Sequence, residues 1–363
     1  MDTIWAAGNI ESSLWNSLIR NQDLAQVVQV DREKLVLELN DVFKWQVDFV
    51  RQIQAGDSYR FAFEREIRSS GTMRTGHVLA AELINQNRSY TAVWFDPNGD
   101  GEGTYYDLDG ITFGNNTFVA VGERGTVRTS SDNGATWDNG TSGTTSQLQE
   151  IAYGDSTFVT VGQSATNLYS SDDGATWTSG TTTETSPFYY GVANGDNVFV
   201  AVGNVNILRS TDNGSNWDTV TTGNLRDVAF GNSTFVACGA DGAIETSDDG
   251  DNPWGSRTSG ATGFTLNGIT FGNNLFLSVG SSGKLIKSTD NGSTFAVGNS
   301  QVSTNLYSIA YGNSIFVAVG SNTVIASTDN TGSTFGIKET TLSFNDVTFG
   351  NGVFVAVADN ELS

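Results

Sequence analysis

Few residues in this chain combine the type and the spacing that chemistry needs. The densest set of oxygen donors runs from Asp96 to Asp107, with Asp96, Asn98 and Asp100 at loop positions 1, 3 and 5, a glycine at 6 and Asp107 at 12. That is calcium-loop spacing. Position 12 is Asp rather than a bidentate Glu, and no helix precedes the loop, so a glycine-rich hairpin turn is the alternative reading. Calcium here is the only cofactor the sequence suggests. The single histidine, His77, stands in an alternating segment with no neighbouring Cys or His, which is too little for a zinc centre. The single cysteine, Cys238, occupies the place of Val121 in a repeated Phe-Val-Ala-Val-Gly run, so it reads as a core residue. It leaves no intramolecular disulfide to diagnose a redox compartment.

The carboxylates that recur most regularly belong to one motif, Ser-x-Asp-x-Gly-x-x-Trp. It is complete around Asp132, Gly134 and Trp137, around Asp172, Gly174 and Trp177, and around Asp212, Gly214 and Trp217. Asp290 and Gly292 keep it with Phe295 in place of Trp. It is altered around Asp249 and Trp254, where Asp251 replaces the glycine, and around Asp329, Gly332 and Phe335, where one residue is inserted. An Asp in such a segment accepts backbone N–H bonds in a tight turn, the glycine supplies a positive φ, and the aromatic folds back over a core. These are structural roles, so none of the six Asp residues is expected to be catalytic.

The motif sits inside a longer repeat. Gly-Asn-x-x-Phe-Val-Ala-Val-Gly, with variations, closes at positions 122, 162, 203, 239, 280, 320 and 358. Each unit of about 40 residues reads as four short strands, the size of a propeller blade, and residues 108–363 show no long helical periodicity. The seventh unit has only its first two strands. Three outcomes are open: the chain continues, the N-terminal part completes the blade, or six blades close with an extra hairpin. Most aromatics, Phe118 and Phe158 among them, recur at fixed places and read as core. Tyr189, Tyr190 and Phe264 fall outside the pattern and read as a contact surface.

Residues 1–107 differ. Ile10, Leu14 and Leu18 fit one helical face, and Leu35, Leu39 and Val42 lie on one side of a second helix over 31–43. Alternating segments at 59–67, 76–84 and 90–95 predict an antiparallel meander.

Net charge is −22, from 40 acidic and 18 basic residues. Such a surface repels a phosphate backbone and excludes nucleic acid as a partner. It keeps a Gly/Ser/Thr-rich β protein soluble; an acidic face for a basic partner or for cations is the functional alternative. No stretch has the length and apolarity of a membrane span. Met1-Asp2-Thr3-Ile4 lacks the basic start and apolar core of a signal peptide, so either the numbering begins after processing or export is not encoded here.

The Ser-x-Asp-x-Gly-x-x-Trp element resembles the Asp-box of sialidase-like (BNR) propellers. A sialidase site would need an arginine cluster with a Tyr/Glu nucleophile pair, and within 108–363 the arginines are Arg124, Arg128, Arg209, Arg226 and Arg257, with nothing in the sequence to converge them. The repeats also partly resemble assembly and stability factors of photosynthetic membrane complexes, although those carry Asp-Gly-Gly where this chain has Asp-Asn-Gly. Ile10-Glu11-Ser12-Ser13-Leu14, Gly56-Asp57-Ser58-Tyr59 and Gly76-His77-Val78-Leu79 are similar to the non-catalytic N-terminal part of M23-type cell-wall metallopeptidases. That family's zinc ligands have no counterpart here.

The reading is therefore a mainly β chain: a small α+β domain, 1–107, then a six- to seven-bladed Asp-box β-propeller, 108–363. The expected function is a non-catalytic, periplasmic or extracellular protein-interaction scaffold, an accessory or assembly subunit of a membrane complex. The alternatives are a structural or receptor-binding component of a virion or cell surface, a glycan-binding or sialidase-like propeller, and a cell-wall regulator keeping the M23-like accessory region.

Overall fold

The computed structural model describes residues 108–358 except 135, 341 and 342, and ahead of them the segments 2–10, 58–67, 73–85 and 88–93 with a few single positions between. The chain divides into two compact units, Met1–Tyr105 and Tyr106–Ser363.

The first unit contains an antiparallel sheet in the order β1 (Asp2–Asn9), β2 (Ser58–Ile67), β3 (Met73–Asn85) and β4 (Arg88–Val93). The last three are the expected meander. β1 was not expected: Ile4-Trp5-Ala6-Ala7-Gly8 lacks clean alternation, and what holds it is pairing with a distant strand, from Asp2 opposite Arg65 to Asn9 opposite Ser58. Leu18 and Leu35 are helical and buried, and Ile10 is buried. Leu14, Leu39 and Val42 lie outside the described residues, as does the Asp96–Asp107 loop. His77 lies in β3.

In the second unit, six of the repeats form complete sheets, of four strands except the third, which has a short fifth; the seventh is the hairpin of Phe344–Gly350 and Val353–Ala358. The first strands of the seven units are Leu108–Gly114, Leu148–Gly154, Tyr189–Gly195, Leu225–Gly231, Leu266–Gly272, Leu306–Gly312 and Phe344–Gly350. Each of these inner strands packs beside the next, and the seventh packs beside the first. The result is a β-propeller of six complete blades whose ring is closed by a two-stranded seventh sheet. Among the described residues the seventh sheet holds two strands, and it occupies a place in the ring.

Local chemistry explains each hairpin. The turn after each inner strand places two residues at positive φ, as at Asn115 (43°) and Asn116 (61°). That is the requirement of a tight two-residue hairpin turn, and Asn, Asp, Ser and Gly fill the pair in every unit. The second strand then carries the blade core: Phe118, Phe199, Phe235, Phe276 and Phe316 are fully buried. In six units that Phe meets an aromatic from the inner strand across the hairpin, ring centroids 4.6–4.8 Å apart and tilted. The third unit has Asn194 at the inner position and makes no such pair.

The contact between blades rests on the glycine that ends each inner strand. A Cβ on Gly231 would lie 2.1 Å from the Phe271 ring of the next blade, and one on Gly272 would lie 2.1 Å from Tyr311. The same clash repeats from Gly114 against Tyr153 round to Gly350 against Phe113, which joins the seventh sheet to the first blade. Each ring thus fills the space that a side chain on the preceding strand would need.

Gly231→Ala forces a methyl group into the Phe271 ring. Overpacking of this kind costs ~1–3 kcal/mol. The expected outcome is a lower denaturation midpoint with an unchanged denaturant slope. Gly154→Ala, which meets the smaller Asn194 side chain, is expected to lose less in the same experiment.

Candidate functional site

The repeated Asp residues are consumed by their own turns. In the first blade, one Asp132 oxygen accepts from Ser130 Oγ (2.9 Å) and Thr136 N (2.8 Å), and the other accepts from Thr136 Oγ1 (2.6 Å). Asp172, Asp212 and Asp290 repeat the pattern, with Asn216 in place of Thr for Asp212. Gly134, Gly174, Gly214 and Gly292 stand at φ of 78–84°. Trp137, Trp177 and Trp217 donate Nε1 to the carbonyls of Gly134, Gly174 and Gly214 at 2.9–3.1 Å. In the altered fourth turn Gly250 takes the left-handed place, Asp249 accepts from Asp251 N, and Trp254 donates to the Gly250 carbonyl. In the sixth, Asp329 accepts from Thr331 and Thr334, Gly332 has a φ of 58°, and Phe335 is buried. Phe295 packs on the core between the fourth and fifth blades. Hydrogen bonds from Thr294 hold the Asp290 carboxyl at about 2, and bonds from Thr331 do the same for Asp329.

What gathers at one place is a different set. In all seven inner strands the ladder slips at the second residue: Leu108 pairs with Gly122 and Gly110 with Val121, which places a bulge at Asp109. The same bulge falls at Gln149, Tyr190, Arg226, Asn267, Tyr307 and Asn345. A bulge re-aims a side chain that regular pleating would direct elsewhere. Here all seven line one cavity of about 290 Å³ at the ring axis. Every one is polar or carries a polar tip. The residue that precedes each of them is a leucine or an aromatic.

The third residue of each inner strand forms the layer beneath. Read around the ring it is Gly110, Glu150, Gly191, Asp227, Gly268, Ser308 and Asp346. Small and large alternate because a Cβ at Gly110, Gly191 or Gly268 would fall 2.7–2.9 Å from the Cα of Glu150, Asp227 or Ser308. Seven places cannot alternate perfectly. The mismatch falls at Ser308 and Asp346, which adjoin and are joined by a short hydrogen bond from the serine hydroxyl to the carboxylate.

These carboxylates fasten blades together. Asp346 accepts the Ile111 N–H of the first blade at 2.7 Å, and Asp227 accepts its own Val228 N–H and the Ile269 N–H of the next blade at 2.7 and 2.8 Å. Asn267 and Asn345 donate to the Leu306 and Leu108 carbonyls of the following blades. Burial at the narrow axis pushes Asp227 up to about 7 and Asp346 up to about 6. Glu150 is raised as well, by burial first and then by the negative charges of Asp346 and Asp227. Arg226 lies over the Tyr190 ring at 4.2 Å, and Tyr190 stacks on Phe188.

Several expectations change against this geometry. Tyr189, read as a contact-surface aromatic, is fully buried, because it takes the core position that Leu148 and Leu225 hold in other blades. Tyr190 does reach the cavity. Phe264 packs under the Lys284 ammonium. Among the five propeller arginines only Arg226 lines the cavity; Arg128 is buried against the Val127 carbonyl, and Arg209 donates to the Asp249 carbonyl. Cys238 is buried, and burial raises its thiol. No group of three or more His, Cys, Asp or Glu suited to a metal occurs among the described residues. The axial residues escaped the sequence reading, though a signal existed: a polar residue always follows the apolar residue that opens each first strand.

A closed ring of radial sheets around a polar axial cavity defines the class as β-propellers, and solved propellers are what the chain matches in shape. YCF48 bound to a D1 peptide superposes with a TM-score of 0.58 at 18% identity, over 70% of this chain and 90% of that one. YCF48 from Cyanidioschyzon merolae gives 0.57 at 18% identity over 74% and 97%, and the WD40 repeats of RRP9 give 0.59 at 10% identity over 72% and 89%. The N-terminal region is similar to the peptidoglycan DD-endopeptidase ShyC of Vibrio cholerae, 29% identical over 106 residues. That match covers 29% of this chain and 22% of the endopeptidase, so the chain spans about a fifth of that relative's length. No family model matches the chain.

The two sets of carboxylates give opposite pH limbs. Asp227 and Asp346 are raised when folded, so their stabilisation is complete at low pH and is lost as pH rises through about 6–7. Asp290 and Asp329 are depressed, so theirs is present above the ordinary carboxylate value and is lost as pH falls towards 2. Stability is expected to peak near pH ~4–5 and to decline on both sides. Charge repulsion in a chain of −22 adds to the upper limb. Asp227→Asn should therefore flatten that limb and leave the acid limb in place, read as melting temperature against pH.

Proposed function

We propose that this chain is a non-catalytic interaction scaffold that presents the axial cavity to a protein partner, as an accessory or assembly subunit of a membrane complex outside the cytoplasm. The observation that carries the reading is the set of seven bulged residues brought to one cavity on a rigid ring. A ladder places them, so the surface is preorganised and binding loses little to ordering. Tyr190 and Arg226, stacked at the cavity, are residue types that dominate interface energetics. Asp227 and Asp346 are engaged by backbone donors of neighbouring blades, which supports a fastening role for them rather than a catalytic one. One propeller of similar fold, YCF48, has been solved with a peptide bound, which supports a polypeptide ligand. The setting outside the cytoplasm is proposed from the similarity of the first unit to part of a peptidoglycan endopeptidase. The repeated turns support placing the ring among Asp-box propellers.

The glycan reading is supported by the polar lining and its two tyrosines, but a single arginine in the cavity counts against a sialidase-type site. The test compares the full chain with a Tyr190→Ala/Arg226→Ala variant as bait in detergent extracts of its source membranes. Captured proteins are quantified by mass spectrometry. A partner enriched by the wild type and reduced at least ~10-fold by the variant is expected, since two hot-spot truncations exceed 1.4 kcal/mol together. Equal capture by both baits, or binding of glycan arrays without protein capture, defeats the proposal.

A further inference from the structure

The seven bulged side chains that meet at the axis divide into two arcs. On one arc the polar groups are engaged within the ring. Asp109 accepts from Gln147 Nε2 at 2.9 Å, Asn345 donates to the Leu108 carbonyl at 3.0 Å, Asn267 donates to the Leu306 carbonyl at 2.8 Å, and the Tyr307 hydroxyl pairs with Ser321 Oγ at 2.8 Å. The other arc is Gln149, Tyr190 and Arg226, from three consecutive blades. Among the described residues the Gln149 amide, the Tyr190 hydroxyl and the Arg226 guanidinium have no hydrogen-bond or ion-pair partner. The Arg226 head touches only the Tyr190 ring, 4.2 Å from its centroid, and Tyr190 is stacked in turn on Phe188.

All three groups of this arc can donate. The guanidinium is half-buried, and its planar fork of N–H groups is held in place by the aromatic stack. Four carboxyl groups line the same cavity, yet none pairs with it. Asp227 and Asp346 accept backbone N–H groups, Glu150 accepts from its own neighbour Ile151 at 2.8 Å, and Asp109 lies three blades away. A cation that has lost water without gaining an acceptor is compensated by a ligand that supplies one. The acceptor that matches a planar fork with two parallel bonds is a carboxylate or a phosphate. A phosphate would bring about two negative charges towards acidic neighbours, whereas a carboxylate brings one. A cavity of about 290 Å³ has room for the end of one side chain or of one polypeptide.

We propose that Gln149, Tyr190 and Arg226 form a subsite for a carboxylate of the partner polypeptide, gripped by the guanidinium, with the amide and the phenol as flanking donors. The kind of partner rests on the scaffold reading, which this deepens by naming the group that enters the cavity.

The layer beneath the arc sets when an anion is admitted. The charged and titratable groups of the lining are Arg226, Tyr190, Tyr307, Asp109 and the deeper acids Glu150, Asp227 and Asp346. Burial raises all three deeper acids, Asp227 to about 7 and Asp346 to about 6. Below that range they are protonated and oppose an anion little. As pH rises through it they become negative beside the site. An ordinary ligand carboxyl, which titrates near ~4, is still ionised at pH ~5.5. A carboxylate is therefore bound more tightly at pH ~5.5 than at ~8, and a basic group shows the reverse order.

Saturation-transfer NMR on the full chain tests this with four small peptides. Acetyl-Gly-Glu-Gly-amide carries the carboxylate on a side chain, and acetyl-Gly-Gln-Gly with a free acid carries it at the chain end. Acetyl-Gly-Gln-Gly-amide is the neutral control and acetyl-Gly-Lys-Gly-amide the basic one, the type that a chain of −22 attracts at long range. At pH ~5.5 one or both carboxylate peptides should bind ~10-fold tighter than the neutral control, and the tighter of the two names the source. Moving to pH ~8 should weaken them ~3-fold or more. Arg226→Gln should erase the preference and Gln149→Ala should reduce it. Neither side chain bonds the ring, so both variants should melt as the wild type does. Equal binding of acidic and neutral peptides overturns the proposal. So does tighter binding of the lysine peptide, a preference that survives Arg226→Gln, or no saturable binding by either carboxylate peptide. These probes need no native partner. Carboxylate binding with no protein captured from membrane extracts defeats the scaffold reading alone, and capture without a carboxylate preference defeats this one alone.

Discussion

Closure of the ring depends on one steric relation repeated between neighbours: a glycine at the end of an inner strand receives the aromatic or amide side chain of the next. Without a Cβ, the backbone of one blade approaches the ring of the next within van der Waals distance, and the inner strands can crowd around an axis. That crowding brings the second and third residues of seven separate strands into one small volume. The cavity, the buried carboxylates and their raised proton affinity all follow from it.

The two carboxylate populations show how position within one repeat sets chemistry. Those in the outer turns are solvent-facing acceptors whose hydrogen bonds favour the charged form. Those at the axis lose water and are penalised when charged, although all three accept backbone N–H bonds. At the axis Asp227 and Asp346 bridge blades, and the odd number of places in the ring is resolved by the serine hydroxyl of Ser308 beside Asp346.

Much of the propeller was legible in the sequence because its determinants are local. Asn-Asn, Asp-Ser and Asn-Gly pairs announce hairpin turns, Phe at a fixed place announces a core, and Ser-x-Asp-x-Gly announces a turn. The axial residues were illegible for the opposite reason. Asp109 and Arg226 have no common pattern except being polar, and their convergence exists only once the ring is closed. Tyr189 has the look of a departure from the repeat because residue type varies at its place while the position does not; it substitutes for leucine inside the pattern. In the first unit, β1 is held by a partner some fifty residues away in sequence, which no local rule detects.

A bulged residue takes no part in the pairing of its ladder and places no side chain in the blade core. Where its side chain does not also bond a neighbouring blade, as Asn267 and Asn345 do, exchanging one leaves the frame almost untouched. Across seven blades this separates durability from surface chemistry: the repeated architecture is written in glycine, phenylalanine and turn residues, while the lining of the cavity differs from blade to blade. The repeat becomes, in this arrangement, an array of seven differing side chains around a shared centre.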